Sequence, residues 1–346
     1  MNKKNFKQQD KIIKKSIETL KKNGLLIFPS DTVYGLLADA TCERAVEKLI
    51  DFKNRPPGKP ISVFVSDFSM LKDYVEVDDR QEKILKELLP GPFTVVLTSK
   101  HKVCQLLESE KGTLGVRLPD YSLIIELVKI FGKPITATSA NLSGRPPHYQ
   151  VETLLKQLPQ SKKQLIDYIV DIGKLPRNKP STIIDLTTPT IKVIRQGDIV
   201  FKDEKTYLSS SPRQTVKLGR YLLQRFLKEK EEKPLVFIIE GELGVGKTVL
   251  IKGMAEVLGI KNIISPTFVI YYQYGNFYHF DLYQIEEGEE FRYLKIEDLL
   301  KPGNILCIEW GEKAGAIADI LKNKAKIIFI KIRYINEKKR EIEVKS

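Results

Sequence analysis

At 346 residues, 42% hydrophobic and 29% charged, the chain exceeds one compact domain of ordinary size and has apolar material for two cores. No run approaches the uncharged apolar length of a membrane helix, and the basic start MNKKNFKQQDKIIKKSIETLKK has no apolar signal core, so a cytoplasmic protein without membrane contact is expected. The three scattered cysteines, Cys42, Cys104 and Cys307, argue against a disulfide framework and against a cysteine-built metal cluster. The net charge is +13, and nine charges of that excess fall in residues 1–205. Such a field concentrates anions such as nucleotides or RNA, although a solvated lysine-rich surface explains it equally.

Along the chain, Ile12, Ile13, Ile17 and Leu20 recur at helical spacing, and GLLIFPS follows as a buried strand. A helix is expected over 41–53, with Thr41 as its N-cap, Val46, Leu49 and Ile50 on one face, and the pre-proline Arg55 as its end. The runs ISVFV, FTVVLTS, KPITATS, DYIVDIG, STIIDL and IKVIRQG look like short strands, with helical patterns near 79–89, 121–131 and 151–158. Together these describe a mixed α/β domain over 1–203. The segment 204–213, within KDEKTYLSSSPRQ, has linker composition, and a second α/β domain is expected over 214–346. There a helix over 212–229 precedes the strand PLVFIIE, a glycine-rich loop, a helix over 247–258, and the strands FVIYYQY, FYHFDLY and NILCIEW.

The glycine-rich loop is GELGVGKT, residues Gly241, Glu242, Leu243, Gly244, Val245, Gly246, Lys247 and Thr248. Set between an apolar strand and a helix, it has the context of a Walker A phosphate loop, in which backbone amides face phosphate oxygens. Lys247 would neutralise the β and γ phosphates of ATP, and Thr248 would hold Mg2+. A carboxylate at the end of a later strand should complete the site, and Glu309 and Asp281 are the candidates. ISPTF, YHFDLY and CIEWGEK, behind this loop and the TVKLGRYL helix, resemble the TsaE family, P-loop ATPases of bacterial tRNA threonylcarbamoyladenosine synthesis. The resemblance implies Thr267 in a switch-like segment, Asp281 as the catalytic acid, Glu309 as the magnesium carboxylate and Trp310 as the neighbouring aromatic. Glu242 stands where that family usually has Asp, and Gln284 where it usually has Arg.

A second basic motif lies upstream. KNRPPGKP places Lys53, Arg55 and Lys59 on a proline-stiffened helix exit, and such a triplet is either an exposed basic turn or a polyphosphate clamp. PSDTVYGL, GVRLPD, TSANLSG, PSTIID and VIRQG add small hydroxyls and cations at strand ends. With KNRPPGKP they are similar to the YrdC-like threonylcarbamoyl-AMP synthases, also called TsaC, over residues 10–200. The resemblance implies a twisted mixed-sheet domain that joins L-threonine, bicarbonate and ATP into threonylcarbamoyl-adenylate and pyrophosphate. It implies Lys53, Arg55 and Lys59 on the phosphates, with Lys53 and Arg55 catalytic. Thr138, Ser139 and Asn141 would lie on phosphate and nucleoside, Thr32, Arg117 and Ser181 on threonine or its carbamate, and Arg195 near the nucleotide.

The two resemblances together describe a fusion serving one tRNA modification. The transferase would be supplied by partners, the TsaD and TsaB proteins, because His101, His148 and His279 offer no metal-binding pair. Direct tRNA contact remains open at this point. Two other classes compete: a basic RNA-binding module joined to a regulatory P-loop switch without synthase activity, and a P-loop small-molecule kinase.

Overall fold

The computed structural model describes residues 3–203, 205–229, 232–266, 269–284, 296–313, 321 and 324–346, without the side chains of 3–7 and 200–203. Thr267, expected in a switch-like segment, and Phe268, which opens FVIYYQY, lie outside the described residues. The chain separates into two units, residues 1–198 and 199–346.

The first unit runs α1 (Lys3–Lys21), β1 (Leu25–Phe28), β2 (Gly35–Leu37), α2 (Glu43–Lys53), β3 (Ser62–Phe64), α3 (Phe68–Tyr74), α4 (Asp79–Leu88), β4 (Phe93–Thr98) and β5 (Thr113–Arg117). It continues with α5 (Ser122–Phe131), β6 (Ile135–Ser139), α6 (Val151–Gln157), α7 (Gln160–Lys163), β7 (Ile166–Ile169), β8 (Thr182–Asp185) and β9 (Lys192–Arg195). The described strands form one mixed sheet in the order β7-β1-β2-β6-β3-β5-β4-β8-β9. The apolar face of α1 (Ile13, Leu20) and that of α5 (Leu123, Ile124, Leu127, Val128) close over β1 and β6 around Leu26, Phe28 and Ile135. Burial of these helix stripes drives this layer, since each fully buried aliphatic side chain contributes about 1.5–3 kcal/mol.

α2 begins later than its sequence suggests. Its N-cap position is Cys42, which makes no side-chain cap, and Thr41 is not the cap. Asp39 Oδ1 takes both the Thr41 amide (2.8 Å) and its hydroxyl (2.7 Å), so the threonine oxygen is spent outside the helix. The helix also stops before Arg55: Asn54 adopts the left-handed conformation at φ 46°, which makes Lys53 the last helical residue.

The second unit contains β10 (Val200–Asp203), β11 (Thr206–Ser209), α8 (Pro212–Lys228), β12 (Leu235–Glu240), α9 (Lys247–Val257), β13 (Tyr271–Tyr274) and β14 (Phe277–Asp281). β15 (Ile305–Glu309), β16 (Lys326–Asn336) and β17 (Lys339–Lys345) complete it. Its sheet has the order β10-β11-β17-β16-β12-β15-β14-β13, with β12, β14, β15 and β16 parallel and the flanks antiparallel. The stretch read as a linker therefore contains β11, which pairs along β17 from Thr206↔Glu343 to Ser209↔Arg340. Alternation over so few residues, with Tyr207 buried and the Ser209 hydroxyl bonded to that of Thr215, gives little apolar signal.

α8 and α9 touch through glycine on both sides. A Cβ on Gly219 would stand 2.1 Å from Leu250 O, and one on Gly253 would stand 2.0 Å from Val216 O. Neither helix backbone can yield without moving the phosphate loop that opens α9. Gly253→Ala should therefore destabilise the second unit by about 1–3 kcal/mol through overpacking. Urea unfolding followed by fluorescence of Trp310, the single tryptophan, measures it; an unchanged midpoint would contradict the close approach.

Candidate functional site

In the first unit, the sheet order brings together strand ends that are distant in sequence. β6 lies between β2 and β3, pairing Gly35 with Ser139 and Ser62 with Ala137, while β5 sets Arg117 opposite Phe64. A cavity of about 360 Å³ opens there, lined by Thr32, Lys53, Arg55, Lys59, Arg117, Thr138, Ser139, Asn141, Ser181 and Arg195. Every first-unit residue singled out from sequence thus faces one space.

Lys53 does not project freely into it. Its side chain is buried, and Nζ donates to Ser139 O (2.6 Å), Asn141 O (2.8 Å) and Asn141 Oδ1 (3.3 Å). The ammonium spends its donors on the loop after β6 and ties that loop to the end of α2. Arg55 closes its own turn, through Nε to Lys59 O (3.1 Å) and a terminal nitrogen to Pro60 O (2.6 Å). Ser139 Oγ donates to Asn141 Oδ1, so Lys53, Ser139 and Asn141 form one network.

On the opposite wall, Arg117 pairs with Asp31 at 2.7 Å and lies 4.9 Å over the Phe64 ring. Arg117 Nε and Ser143 Oγ are buried without a hydrogen-bond partner. Ser181 Oγ meets Thr94 Oγ1 at 2.7 Å, and the Arg195 guanidinium binds Ser181 O (2.9 Å from a terminal nitrogen) and Ser181 Oγ (3.1 Å). Thr32 Oγ1 sits 3.1 Å from Ser30 Oγ. Asp31 belongs to PSDTVYGL, and its role in holding Arg117 is a contact that sequence reading missed.

In the second unit, Gly241 and Gly246 adopt φ 141° and 112°, which side-chain-bearing residues rarely reach, and α9 starts immediately after them. Lys247 Nζ donates to Gly241 O (2.6 Å) and Glu242 O (3.0 Å) and lies 3.6 Å over the Trp310 ring. Trp310 itself holds a left-handed backbone at φ 62°, a strained choice for a bulky residue that turns its ring onto the lysine. Leu243 is exposed and Val245 buried. Parallel pairing of β14 and β15 sets Asp281 directly beside Glu309. Glu309 Oε1 accepts from Thr248 Oγ1 (2.8 Å) and lies 2.8 Å from His279 Nε2, and Asp281 Oδ2 accepts from Ser265 (3.0 Å). His279 is fully buried, and its Nδ1 is unpartnered. His279 and Ser265 were not among the sequence candidates. Both lie inside quoted motifs, but only the fold shows which carboxylate each one holds.

The buried Lys53 generates a pH test. Burial, then the charge of Arg55, pushes its ammonium down to about 7. The unfolded chain binds that proton up to about pH 10.4, so between these values the unfolded state holds more protons and stability rises with pH. From pH 7 to 9, the intact chain should gain on the order of 2 kcal/mol relative to Lys53→Met, partly offset by the three acceptors. Urea unfolding of the first-unit transition by circular dichroism reads this; a pH-independent difference would contradict it.

Comparisons with known proteins divide the chain as the fold does. The Sua5/YciO/YrdC family model, described as telomere recombination, matches residues 18–197, and the model described as threonylcarbamoyl adenosine biosynthesis protein TsaE matches 209–342. A putative threonylcarbamoyl-AMP synthase of Methanocaldococcus jannaschii is 38% identical over 190 residues, covering 54% of this chain and 87% of that protein. The threonylcarbamoyl-AMP synthase of Vibrio vulnificus is 32% identical over 184 residues, covering 52% and 96%. Among solved structures, Escherichia coli YciO superposes with TM-score 0.50 at 28% identity over 54% of this chain and 89% of its own. Sua5 of Pyrococcus abyssi complexed with L-threonine gives TM-score 0.50 at 21% identity over 93% and 96%, a likeness of fold. With more than half its length matched, the chain belongs to the Sua5/YciO/YrdC family, fused to a TsaE-family P-loop domain.

Proposed function

We propose that the chain is a bifunctional protein of tRNA threonylcarbamoyladenosine synthesis. Its first unit would make threonylcarbamoyl-adenylate, and its second would hydrolyse ATP. The observation that carries the reading is the convergence of Lys53, Arg55, Lys59, Arg117, Ser139, Asn141, Ser181 and Arg195 on one cavity. It is reinforced by relatives named threonylcarbamoyl-AMP synthase that cover this unit.

In the first unit the amine of L-threonine attacks the carbon of bicarbonate, and water is lost to leave a carbamate. The carbamoyl oxygen then attacks the α-phosphorus of ATP, and pyrophosphate leaves. The step joins two anions, so its barrier falls chiefly through positioning and through cations near the leaving group. Arg55 and Lys59 stand on the cavity rim for that leaving charge, and Lys53 fixes the loop that carries Ser139 and Asn141. Arg117, oriented by Asp31 with its Nε unpartnered, suits the threonine carboxylate, and Ser181 with Arg195 and Thr32 would border the same substrate.

In the second unit, Lys247 at the head of α9 would bind the β and γ phosphates. Thr248 and Glu309 place a hydroxyl and a carboxylate oxygen 2.8 Å apart, hard donors that fit Mg2+ completed by phosphate oxygens and water. Such an ion would neutralise charge between the terminal phosphates. Asp281, held by Ser265 beside Glu309, would orient the attacking water. Hydrolysis would serve a transferase built from TsaD and TsaB partners, with tRNA reaching that assembly.

Lys53→Ala and Lys247→Ala separate the two chemistries. The intact chain should release pyrophosphate from ATP only when threonine and bicarbonate are both present, and should form ADP slowly without them. Lys53→Ala should lose at least about 100-fold of pyrophosphate release while keeping ADP formation, and Lys247→Ala the reverse, as expected for loss of a positioning or charge-stabilising contact. Absence of any threonine-dependent pyrophosphate release would sink the synthase reading and favour the RNA-binding alternative, which binds without making the adenylate.

A further inference from the structure

One stretch of the first unit crosses nearly the whole width of its sheet. In the order β7-β1-β2-β6-β3-β5-β4-β8-β9, β7 and β8 stand seven strand positions apart, and residues 170–181 join them without a helix or strand of their own. At about 4.8 Å per strand the span is roughly 34 Å along the sheet, which these residues cover only in an extended form, since a helix rises just about 1.5 Å per residue. The crossing passes the cavity, where Pro180 and Ser181 form part of the lining. Such a segment takes its course from its tethers. The first is Tyr34, a fully buried side chain of PSDTVYGL. Its hydroxyl offers its hydrogen to Gly173 O (2.8 Å) and Asp171 Oδ1 (3.1 Å) and accepts from the Ile172 amide (3.1 Å), gripping three consecutive residues where Gly173, at φ 83°, bends the chain. Burial pushes this hydroxyl up to about 12, so it stays a donor throughout the neutral range. Further along, Tyr149 Oη donates to Asn178 O (2.7 Å), and Asn178 Nδ2 donates to Asp31 O (3.1 Å).

The backbone of Tyr34 serves the other wall. Its carbonyl accepts from the Ala140 amide (2.8 Å), between Ser139 and Asn141, and its amide donates to His148 O (3.3 Å). Hydroxyl and backbone thus hold different parts of the cavity. We propose that Tyr34 is a positioning residue for the threonine side, its hydroxyl clasping the crossing segment so that Asn178 sets Asp31 and Arg117 while Ser181 sets Arg195. This rests on the synthase reading of the unit. Asp31 holds Arg117 at 2.7 Å and Ser181 holds Arg195 at 2.9 and 3.1 Å, so a crossing segment that shifts carries both guanidinium groups with it. A misplacement on the scale of an ångström is enough to weaken a positioned contact. Ser139, Asn141 and Lys53, on the nucleotide side, hang on the loop after β6 and meet Tyr34 only through its main chain.

Tyr34→Phe removes the hydroxyl and keeps both backbone bonds. In steady-state pyrophosphate release by the full chain, it should raise the KM for L-threonine about fivefold to tenfold, the scale of one lost hydrogen-bonded contact, and hold the KM for ATP within about twofold. A smaller folded fraction alone lowers kcat and moves neither KM. Asn178→Ala frees the segment from Asp31 without touching Tyr34 and should give the same split. Combining the two should exceed the larger single effect by no more than about twofold, because both act through one segment. An unchanged threonine KM in either variant, equal shifts for threonine and ATP, or fully multiplying effects in the double variant would overturn the clasp. If Tyr34→Phe does not fold, Asn178→Ala decides alone by the same split. Failure of the intact chain to release pyrophosphate in response to threonine would overturn the synthase reading and the clasp with it, whereas an intact chain with a measurable threonine KM that neither variant alters overturns the clasp only.

Discussion

The first unit depends on one buried lysine. Lys53 closes α2 with its ammonium enclosed by carbonyl oxygens of Ser139 and Asn141 and by the Asn141 amide oxygen. An unpaired buried ammonium would be costly, so this position is tolerable only while the loop after β6 supplies those acceptors. The dependence runs both ways: the loop keeps its shape because the lysine holds it. That loop carries Ser139, Asn141 and Ser143 to the cavity, and the adjoining turn carries Arg55, Pro56, Pro57 and Lys59. The chemistry proposed for the cavity is positional, which is what such a clamp provides.

The second unit reaches a comparable end by another route. Strand register sets Asp281 beside Glu309, and helix contact without side chains, Gly219 against Leu250 and Gly253 against Val216, fixes the helix that opens with Lys247. Glu309 then gathers Thr248 and His279, while strained Trp310 covers the lysine. In the proposed reading the two units cut ATP at different bonds in separate sites, the first serving cleavage between the α and β phosphates and the second at the γ phosphate.

Much of this was legible in the chain. Continuous apolar runs such as LLIF, FTVVLT and LVFIIE mark strands because both faces of a covered sheet are apolar, and Gly-Lys-Thr after such a run marks a phosphate loop. Short elements were obscured. β2 and β5 contain glycine and sit within motifs that draw attention as loops, and β11 pairs at the sheet flank with only Tyr207 as a large apolar anchor. Thr41 resembled a helix cap, but Asp39 outcompetes the helix for its hydroxyl. At the sites, residue types were readable while partners were not. Lys53 looked like a solvent-facing cation because sequence cannot show that the last helical turn is inside. Asp31, His279 and Tyr34 act through residues 86, 30 and 139 positions away. Such separations are set by sheet order, which no local pattern encodes.

The central claim is that the cavity held by Lys53 forms a mixed anhydride between carbamoylated threonine and AMP. Supplying the full chain with ATP, L-threonine and bicarbonate labelled at carbon tests it most directly, with products resolved by rapid chromatography and mass spectrometry. The account predicts label in a single species containing both threonine and AMP, absent when either threonine or ATP is omitted. Label confined to free carbamate or bicarbonate, with ATP converted only to ADP, would contradict it.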